Sequence, residues 1–406
     1  MSAPFPEPIV QPLADLPSQA AVIRAVFEGA DVAQLIQEQL NHLHADITDA
    51  SAYMTLALLY QLAGQRENAM GCQDAGLHYA RLYRQQTPGS TLKLLCIAAR
   101  GDLMTNTPVE LMLEGLPVEI QHLYVDAQGG LPDFCPDHDV ALMSIGESDE
   151  TRAALSRLMH VSRLWPKPMV NESAAILDLA RDRLWRKLEG APGLVMPPTV
   201  RASAQELMAV AQGERPVDDL LPGCGFPLIV RPVGSHAGKG LELIESAFML
   251  EAYVDLSGVA EMYVSPFVDY ASADGKHRKS RIAFFGGRPF LAHMAVGDHW
   301  MVHYLNAGMG ESEAKRAEEA EAMRTFDDGF AVRHAAALAA LHQRLGLDYF
   351  AVDCAETADG RLLVFEADVS MIVHALDPES VYPYKKPAMA KLFAAFEDML
   401  RQRAKG

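Results

Sequence analysis

The spacing of apolar residues changes several times along the chain, and each change marks a new kind of element. From residue 18 to about 87 they recur at helical spacing, as in AAVIRAVFEGADVAQLIQEQLNHLH, which predicts helices. Near residue 90 the pattern shifts. STLKLLCIAA reads as a buried strand, TPVELMLEG as a helix, VEIQHLYV and HDVALMSIG as strands, and DETRAALSRLMHVSRLW as a helix before KPMVN. Such alternation predicts a small, mostly parallel α/β domain. Residues 172–212 alternate helix, short strand and helix. From FPLIVRPVGSHAGKGLELI onward strands dominate: AEMYVSPFV, KSRIAFFGG, RPFLAHMAV and VDCAETADGRLLVFEAD all read as antiparallel. A long helix over roughly 313–345 interrupts them; its SEAKRAEEAEAM section is a solvated charged face. KKPAMAKLFAAFEDMLRQRA closes the chain as an amphipathic helix, and residues 1–17 are Pro-rich and irregular.

Composition narrows the function classes. With 406 residues, 50% of them apolar and 22% charged, the chain can bury a large core across two or three domains. Its net charge of −18 argues against a free nucleic-acid surface, since phosphate backbones are bound by Lys and Arg. A local basic pocket for a small phosphate ligand remains compatible with it. Five scattered cysteines without a Cys-x-x-Cys pair fit free thiols in a reducing cytosol. The first residues lack a signal-peptide pattern and no apolar run is long enough to span a bilayer, so a cytoplasmic protein without membrane contact is expected.

Chemistry enters with VDCAETADGRLLVFEAD, where Asp353, Glu366 and Asp368 interrupt otherwise apolar strands. Asp359-Gly360 suits a two-residue hairpin turn. That turn would set Asp353 directly opposite Glu366, with Asp368 on the same face. Two bare carboxylates about 5 Å apart repel by roughly 3 kcal/mol at an effective dielectric of about 20. A shared proton, an Arg or Lys, or a divalent cation would offset this, and hard oxygen ligands suit Mg²⁺ or Mn²⁺. A sheet face open to water, with the acids simply solvated, is the other possibility. Upstream, LIVRPVGSHAGKGLELI carries Gly234, Gly238, Lys239 and Gly240 between two strands. Glycines let backbone N–H groups approach a bulky anion. The spacing is not that of a Walker A loop. A strand–loop–strand flap over phosphates fits, as does a plain Gly-rich hairpin.

Together these parts resemble the ATP-grasp fold, with the order and spacing of glutathione-synthetase-like carboxylate–amine ligases, over about residues 91–400. The resemblance implies α/β with α+β architecture: a pre-ATP-grasp α/β domain at 91–175 and an ATP-grasp domain at 176–406. The latter divides into a nucleotide lobe to about 262 and a catalytic lobe over about 263–400. It implies ATP and Mg²⁺ (or Mn²⁺) as cofactors. Arg231 stands where the family usually has Lys near the adenine and α-phosphate, and Arg183 matches a basic residue that meets phosphate. Gly234, Ser235, Gly238, Lys239 and Gly240 form the flap. The backbone of Tyr263 and Val264 would meet the adenine edge, and Glu261 or Asp269 the ribose. Arg281, with Lys239, would face the transferred phosphate; Asp353, Glu366 and Asp368 match the metal ligands, the last being Asp where the family usually has Asn. In VGDHWMVHYLNAGM, His299, Trp300, His303 and Asn306 fall near the substrate pocket, which His374 of SMIVHALDP joins. That stretch reads as strand-like, so His299 and His303 are too far apart for one zinc ion.

Residues 50–88 resemble one tetratricopeptide repeat through Leu56, Ala57, Tyr60, Gly64, Ala69 and Pro88. A repeat-like helical domain at 1–90 is expected, with a generic helical extension as the alternative. Such a domain would dock a peptide or protein, or form a homodimer contact. The implied activity is ligation of a small-molecule or peptide carboxylate to an amine through an acylphosphate, with release of ADP. An ATP-dependent phosphotransferase and a non-catalytic nucleotide-binding scaffold are the alternatives.

Overall fold

Helical spacing becomes helix in the first part of the chain. Between β1 (Ala14–Asp15) and β2 (Leu82–Gln85) lie α1 (Gln19–Phe27), α2 (Val32–Ala45), α3 (Ala50–Leu62) and α4 (Arg66–Tyr79). The side chains of Ser18, Asp31 and Asp49 cap α1, α2 and α3 by accepting hydrogen bonds from backbone N–H groups of the first turn. The computed structural model describes residues 13–132, 134–235 and 238–405; the Pro-rich start up to residue 12, and positions 236 and 237 of the glycine-rich stretch, lie outside the described residues.

β2 corrects the expected domain boundary. It pairs antiparallel with β4 (Val118–Tyr124) and so belongs to the α/β sheet. The other strands are β3 (Leu92–Ala98), β5 (Val140–Met143) and β6 (Met169–Val170); the order is β1-β2-β4-β3-β5-β6, mostly parallel. A break at residue 90 would therefore cut through one sheet. The stretch LYRQ looks like the tail of a helix in sequence, but pairing with β1 on one side and β4 on the other makes it a strand. α5 (Val109–Met112) and α6 (Arg152–Arg163) complete this layer.

After α7 (Ser173–Leu177), α8 (Arg181–Leu188) and β7 (Leu194–Val195), two further sheets form among the described residues. The first runs β10-β9-β11-β8, all antiparallel, from β8 (Val200–Ser203), β9 (Leu228–Pro232), β10 (Glu242–Ile244) and β11 (Glu261–Pro266). α9 (Ala204–Ala211), started by a Ser203–Glu206 capping box, and α10 (Ala247–Ser257) flank it. The second runs β13-β12-β14-β15-β7, from β12 (His277–Phe285), β13 (Arg288–Gly297), β14 (Tyr349–Glu356) and β15 (Leu362–Asp368); only the short β7 is parallel to its neighbour. The expected long helix is split into α11 (Glu313–Arg324), α12 (Phe330–Arg333) and α13 (Ala335–Leu345); the turn-forming Asp327-Asp328-Gly329 run separates the first two and His334 the last two. α14 (Lys385–Arg403) closes the chain.

Two cores result. One runs continuously from the six-stranded sheet, through Leu94, Ile97 and Leu142, to Phe284, Tyr349, Phe350 and Phe396 of the five-stranded sheet and α14. The four-stranded sheet has a separate core around Val230, Leu250 and Met262. Asn171, buried and at φ +62°, ties the larger unit together. Its Oδ1 accepts from the N–H groups of Asp348 (2.9 Å) and Tyr349 (3.1 Å), and its Nδ2 donates to the Tyr349 carbonyl at 2.8 Å. Asn171→Ala should cost roughly 3 kcal/mol or more in chemical denaturation, because it leaves buried backbone groups unpaired. Asn171→Gly, which tolerates the left-handed backbone, should recover only the strain part of that loss, about 1 kcal/mol.

Candidate functional site

The β14–β15 hairpin reaches the expected acid pairing by a different route. Its turn is longer than two residues. Gly360, at φ +80°, donates to the Thr357 carbonyl at 2.9 Å, and Thr357 N–H donates to Arg361 O at 3.0 Å. Near the turn Glu356 pairs with Leu362, one residue out of the expected register. Phe365 is then left over as a bulge, after which Asp353 pairs with Glu366 and Ala351 with Asp368. The bulge is used: the Phe365 carbonyl accepts from Arg181 Nη1 at 3.0 Å, and its ring lies 5.6 Å from Lys279 Nζ.

Basic side chains neutralise the opposed acids. Arg281, paired with Asp353 across β12 and β14, grips it through Nε–Oδ1 at 2.7 Å and Nη2–Oδ2 at 3.1 Å. Lys279 Nζ reaches Asp353 Oδ2 at 2.8 Å, and Arg181 pairs with Glu366. Burial opposes ionisation of Asp353, which is 2% exposed, but Arg281 and Lys279 outweigh it and hold the carboxyl well below the usual range. Asp368 differs. Burial, with Glu147 nearby, pushes it up to about 6, although its Oδ1 accepts from the N–H groups of Val369 (2.6 Å) and Ser370 (3.1 Å).

The expected three-acid metal site is therefore not assembled as such. Among the described residues no three His, Cys, Asp or Glu side chains converge on a point that could hold a metal ion. The opposed pair Asp353 and Glu366 offers carboxylate oxygens of the kind Mg²⁺ and Mn²⁺ accept. Asp368 is turned to backbone donors instead.

These groups line one cavity of about 940 Å³ between the two antiparallel sheets, extending to the α/β sheet and the N-terminal helices. Arg231, at the end of β9, enters it beside the glycine-rich loop and donates to Ser235, through Nη2–Oγ at 3.1 Å and to its carbonyl. Burial, with the like charge of Arg181 next, pulls the pKa of Arg231 well below its ordinary value. Two close, desolvated guanidinium groups are a site that an anion relieves. Gly234, Ser235 and Gly238 line the cavity; a Cβ on Gly238 would lie 3.6 Å from Met301 Sδ, so the loop reaches the opposite lobe.

Other expected residues divide between the cavity and its surroundings. Tyr263, Trp300, His303 and His374 line it. Burial holds His303 and His374 below the usual histidine range, with the charge of Arg281 contributing to both shifts. Arg183 does not line it; it faces Glu147 at 3.8 Å, and Arg181 takes the inward place. Arg181 shares a helical face with buried Leu184 and Leu188, a spacing visible in the sequence. Lys239 is exposed, and neither it nor Gly240 lines the cavity. Val264 is buried in the core of the four-stranded sheet. Neither ribose candidate lines the cavity: Glu261 pairs with Arg201 at 3.3 Å, and Asp269 is 70% exposed in its side chain. His299 and Asn306 also lie outside it, because β13 ends at Gly297 and residues 298–303 are irregular rather than strand. Lys279 and His293 were missed. Lys279 stands two residues before Arg281 on one strand, and His293 is the β13 partner of Arg281.

No family model matches the chain, and no curated protein matches it. Among solved structures it is similar to a RimK domain protein ATP-grasp from Sphaerobacter thermophilus (16% identity, covering 76% of this chain and 99% of that one, TM-score 0.40). It is also similar to D-alanine–D-alanine ligase from Bacillus anthracis complexed with ATP (15%, 77% and 97%, 0.44) and to VanG D-Ala:D-Ser ligase from Enterococcus faecalis (12%, 77% and 99%, 0.48). With TM-scores below 0.5, these likenesses carry no chemistry across, and the residues of this chain must supply it.

Asp353→Asn should leave Arg281 and Lys279 buried without their counter-charge and lower unfolding stability by roughly 3–5 kcal/mol. In thermal melts inorganic phosphate should stabilise this variant more than the wild type, since an added anion replaces the missing carboxylate. Equal phosphate effects would show that the two cations find another partner.

Proposed function

We propose that the chain is an ATP-dependent carboxylate–amine ligase of the ATP-grasp type, with nucleotide bound between the four-stranded and five-stranded sheets. One observation carries this reading: Arg181, Arg231, Lys279 and Arg281 converge on a single cavity bordered by a glycine-rich strand–loop–strand. These cations suit a triphosphate, Arg by paired donors and Lys as a point charge. Tyr263 would lie along the base, and Gly234, Ser235 and Gly238 would bring backbone N–H groups over the phosphates. Asp353 and Glu366 would hold Mg²⁺ or Mn²⁺, which supplies charge neutralisation of phosphate oxygens.

On this reading a substrate carboxylate oxygen attacks the γ-phosphorus. The bond from that phosphorus to the leaving oxygen of ADP breaks, giving an acylphosphate. Arg281 and Lys279 stabilise charge on the transferred group from fixed positions, and positioning supplies much of the remainder. The nitrogen of a free amine then attacks the acyl carbon. The carbon–oxygen bond to phosphate breaks, phosphate departs and the nitrogen loses a proton, leaving an amide. The glycine-rich loop, resting near Met301, would keep water from the acylphosphate.

A non-catalytic nucleotide-binding role is favoured by a different observation: Asp353 and Glu366 are already neutralised by three cations, and Lys239 faces solvent. Product mass separates the readings. Incubation with ATP, Mg²⁺ and pools of amino acids and short peptides should give ADP, phosphate and an amide. A phosphorylated product would mean phosphotransfer, and binding without turnover would mean a scaffold. Arg281→Met should lower the rate of ADP formation about 100- to 1,000-fold. Gly240→Ala should raise the KM for ATP, because Gly240 sits at φ +67° and an added Cβ would lie 2.9 Å from the Pro232 ring.

A further inference from the structure

The cavity continues past Arg281 and ends against the N-terminal helices, whose Ile23, Met54 and Leu58 line it. These helices are built into the site. Ile23 and Leu58 share a small core with Leu111 of α5, against which Ile372 and Leu376, from the segment after β15, pack. Arg24 pairs with Glu114 and donates through Nη1 to the Ala375 carbonyl at 3.4 Å. Gln61 Oε1 accepts from Leu103 N–H at 2.8 Å, and Gln73 Oε1 from Gly101 N–H at 2.9 Å. In this way α3 and α4 fix the loop after β3, which also lines the cavity.

Facing these apolar side chains are Glu110 and His122, cavity-lining yet only 8% and 6% exposed. His122 Nε2 lies 2.9 Å from Glu110 Oε1, but the contact is not aligned as a hydrogen bond and Nε2 has no other partner. Among the described residues His122 is the one charged partner of the Glu110 carboxylate. A largely buried carboxylate met by a single histidine keeps acceptor capacity to spare, and a charged ligand donor would satisfy it. An ammonium group set against this pair from the cavity could donate to the Glu110 carboxylate, while an uncharged chain attached to it covered Ile23, Met54 and Leu58.

We propose that this end of the cavity is the pocket for the amine-bearing substrate, a primary ammonium with an apolar arm, and that the N-terminal helices select that arm. The use made of the amine rests on the ligase reading; the pocket itself does not. Isothermal titration of the full chain with n-hexylammonium chloride and with sodium hexanoate tests it. The wild type should bind the ammonium and not the carboxylate. Glu110→Gln, which keeps the side chain's shape, should weaken alkylammonium binding about 10- to 100-fold. Leu58→Trp should fill the apolar end and remove that binding while leaving ATP affinity as in the wild type. Equal binding of hexanoate, or unchanged alkylammonium affinity in Glu110→Gln, overturns the proposal, and the comparison of the two probes on the wild type stands even if a variant fails to fold. ADP release with amine pools, followed in the same preparation, separates the two claims. Alkylammonium binding without ADP release supports the pocket and counts against the ligase; ADP release without alkylammonium binding overturns the pocket alone.

Discussion

Everything at the centre of this molecule depends on how Asp353 is kept charged inside a sheet. A carboxylate that is 2% exposed and directly opposite a second carboxylate should be neutral or displaced. It is neither, because Arg281 and Lys279 rise from the next strand on the same face and close on both oxygens. Glu366 is met from the other side by Arg181, delivered on a helix whose Leu184 and Leu188 are buried beneath it. The result is a charge ladder across three strands with a helix at its edge. Such a ladder costs desolvation that only matched partners repay, so removing one member does more damage than replacing the whole set would. Its worth lies less in stability than in holding several cations where one anion can meet them all.

The division of the core follows the same logic. The α/β sheet and the five-stranded sheet share continuous packing, so Asp353, Arg281 and the segment after β15 sit on one rigid unit. The four-stranded sheet, carrying Arg231 and the glycine-rich loop, has its own core. Ion pairs bridge it to the larger unit: Arg201 of β8 holds Asp149 through Nη2–Oδ1 at 2.7 Å and Nη1–Oδ2 at 3.0 Å. Polar bridges between separately packed units are easier to rearrange than shared apolar packing, which is what a site that must admit and then enclose a charged ligand requires.

Element types were largely legible in the sequence, because the period of apolar residues differs between helix and strand whatever the tertiary context. The register of the acid pair shows how a correct contact can come from an incomplete argument. An Asp-Gly dipeptide suggested a two-residue turn; the loop took an extra residue, and the Phe365 bulge cancelled the offset. Bulges leave no reliable signal in one sequence, since their cause is the need to aim neighbouring groups, here the Phe365 carbonyl at Arg181. The choice of Arg183 over Arg181 had a remedy in the residues themselves, because Arg181, Leu184 and Leu188 lie on one helical face. Lys279 could likewise have been found from its alternation with Arg281. The place of LYRQ in the sheet could not, because a four-residue strand following a helix carries too few residues for its period to be distinguished.

A chain with net charge −18 that turns Arg181, Arg231, Lys279 and Arg281 into one cavity poses an electrostatic question. An anion approaching from solution meets a negative molecule first. At physiological ionic strength surface charges are screened within about 8 Å, so most of the acidic exterior contributes little at the cavity mouth. Inside, the screening is weak and the dielectric lower, and Arg181, Arg231, Lys279 and Arg281 act at short range. The acids that share the cavity are not a contradiction of this. By pairing with the cations in the absence of ligand, Asp353 and Glu366 prevent the guanidinium groups from repelling one another apart, and they hold each donor close to the geometry an incoming anion needs. The entropy of ordering those long side chains is thus met during folding rather than during binding, which is the advantage of preorganisation.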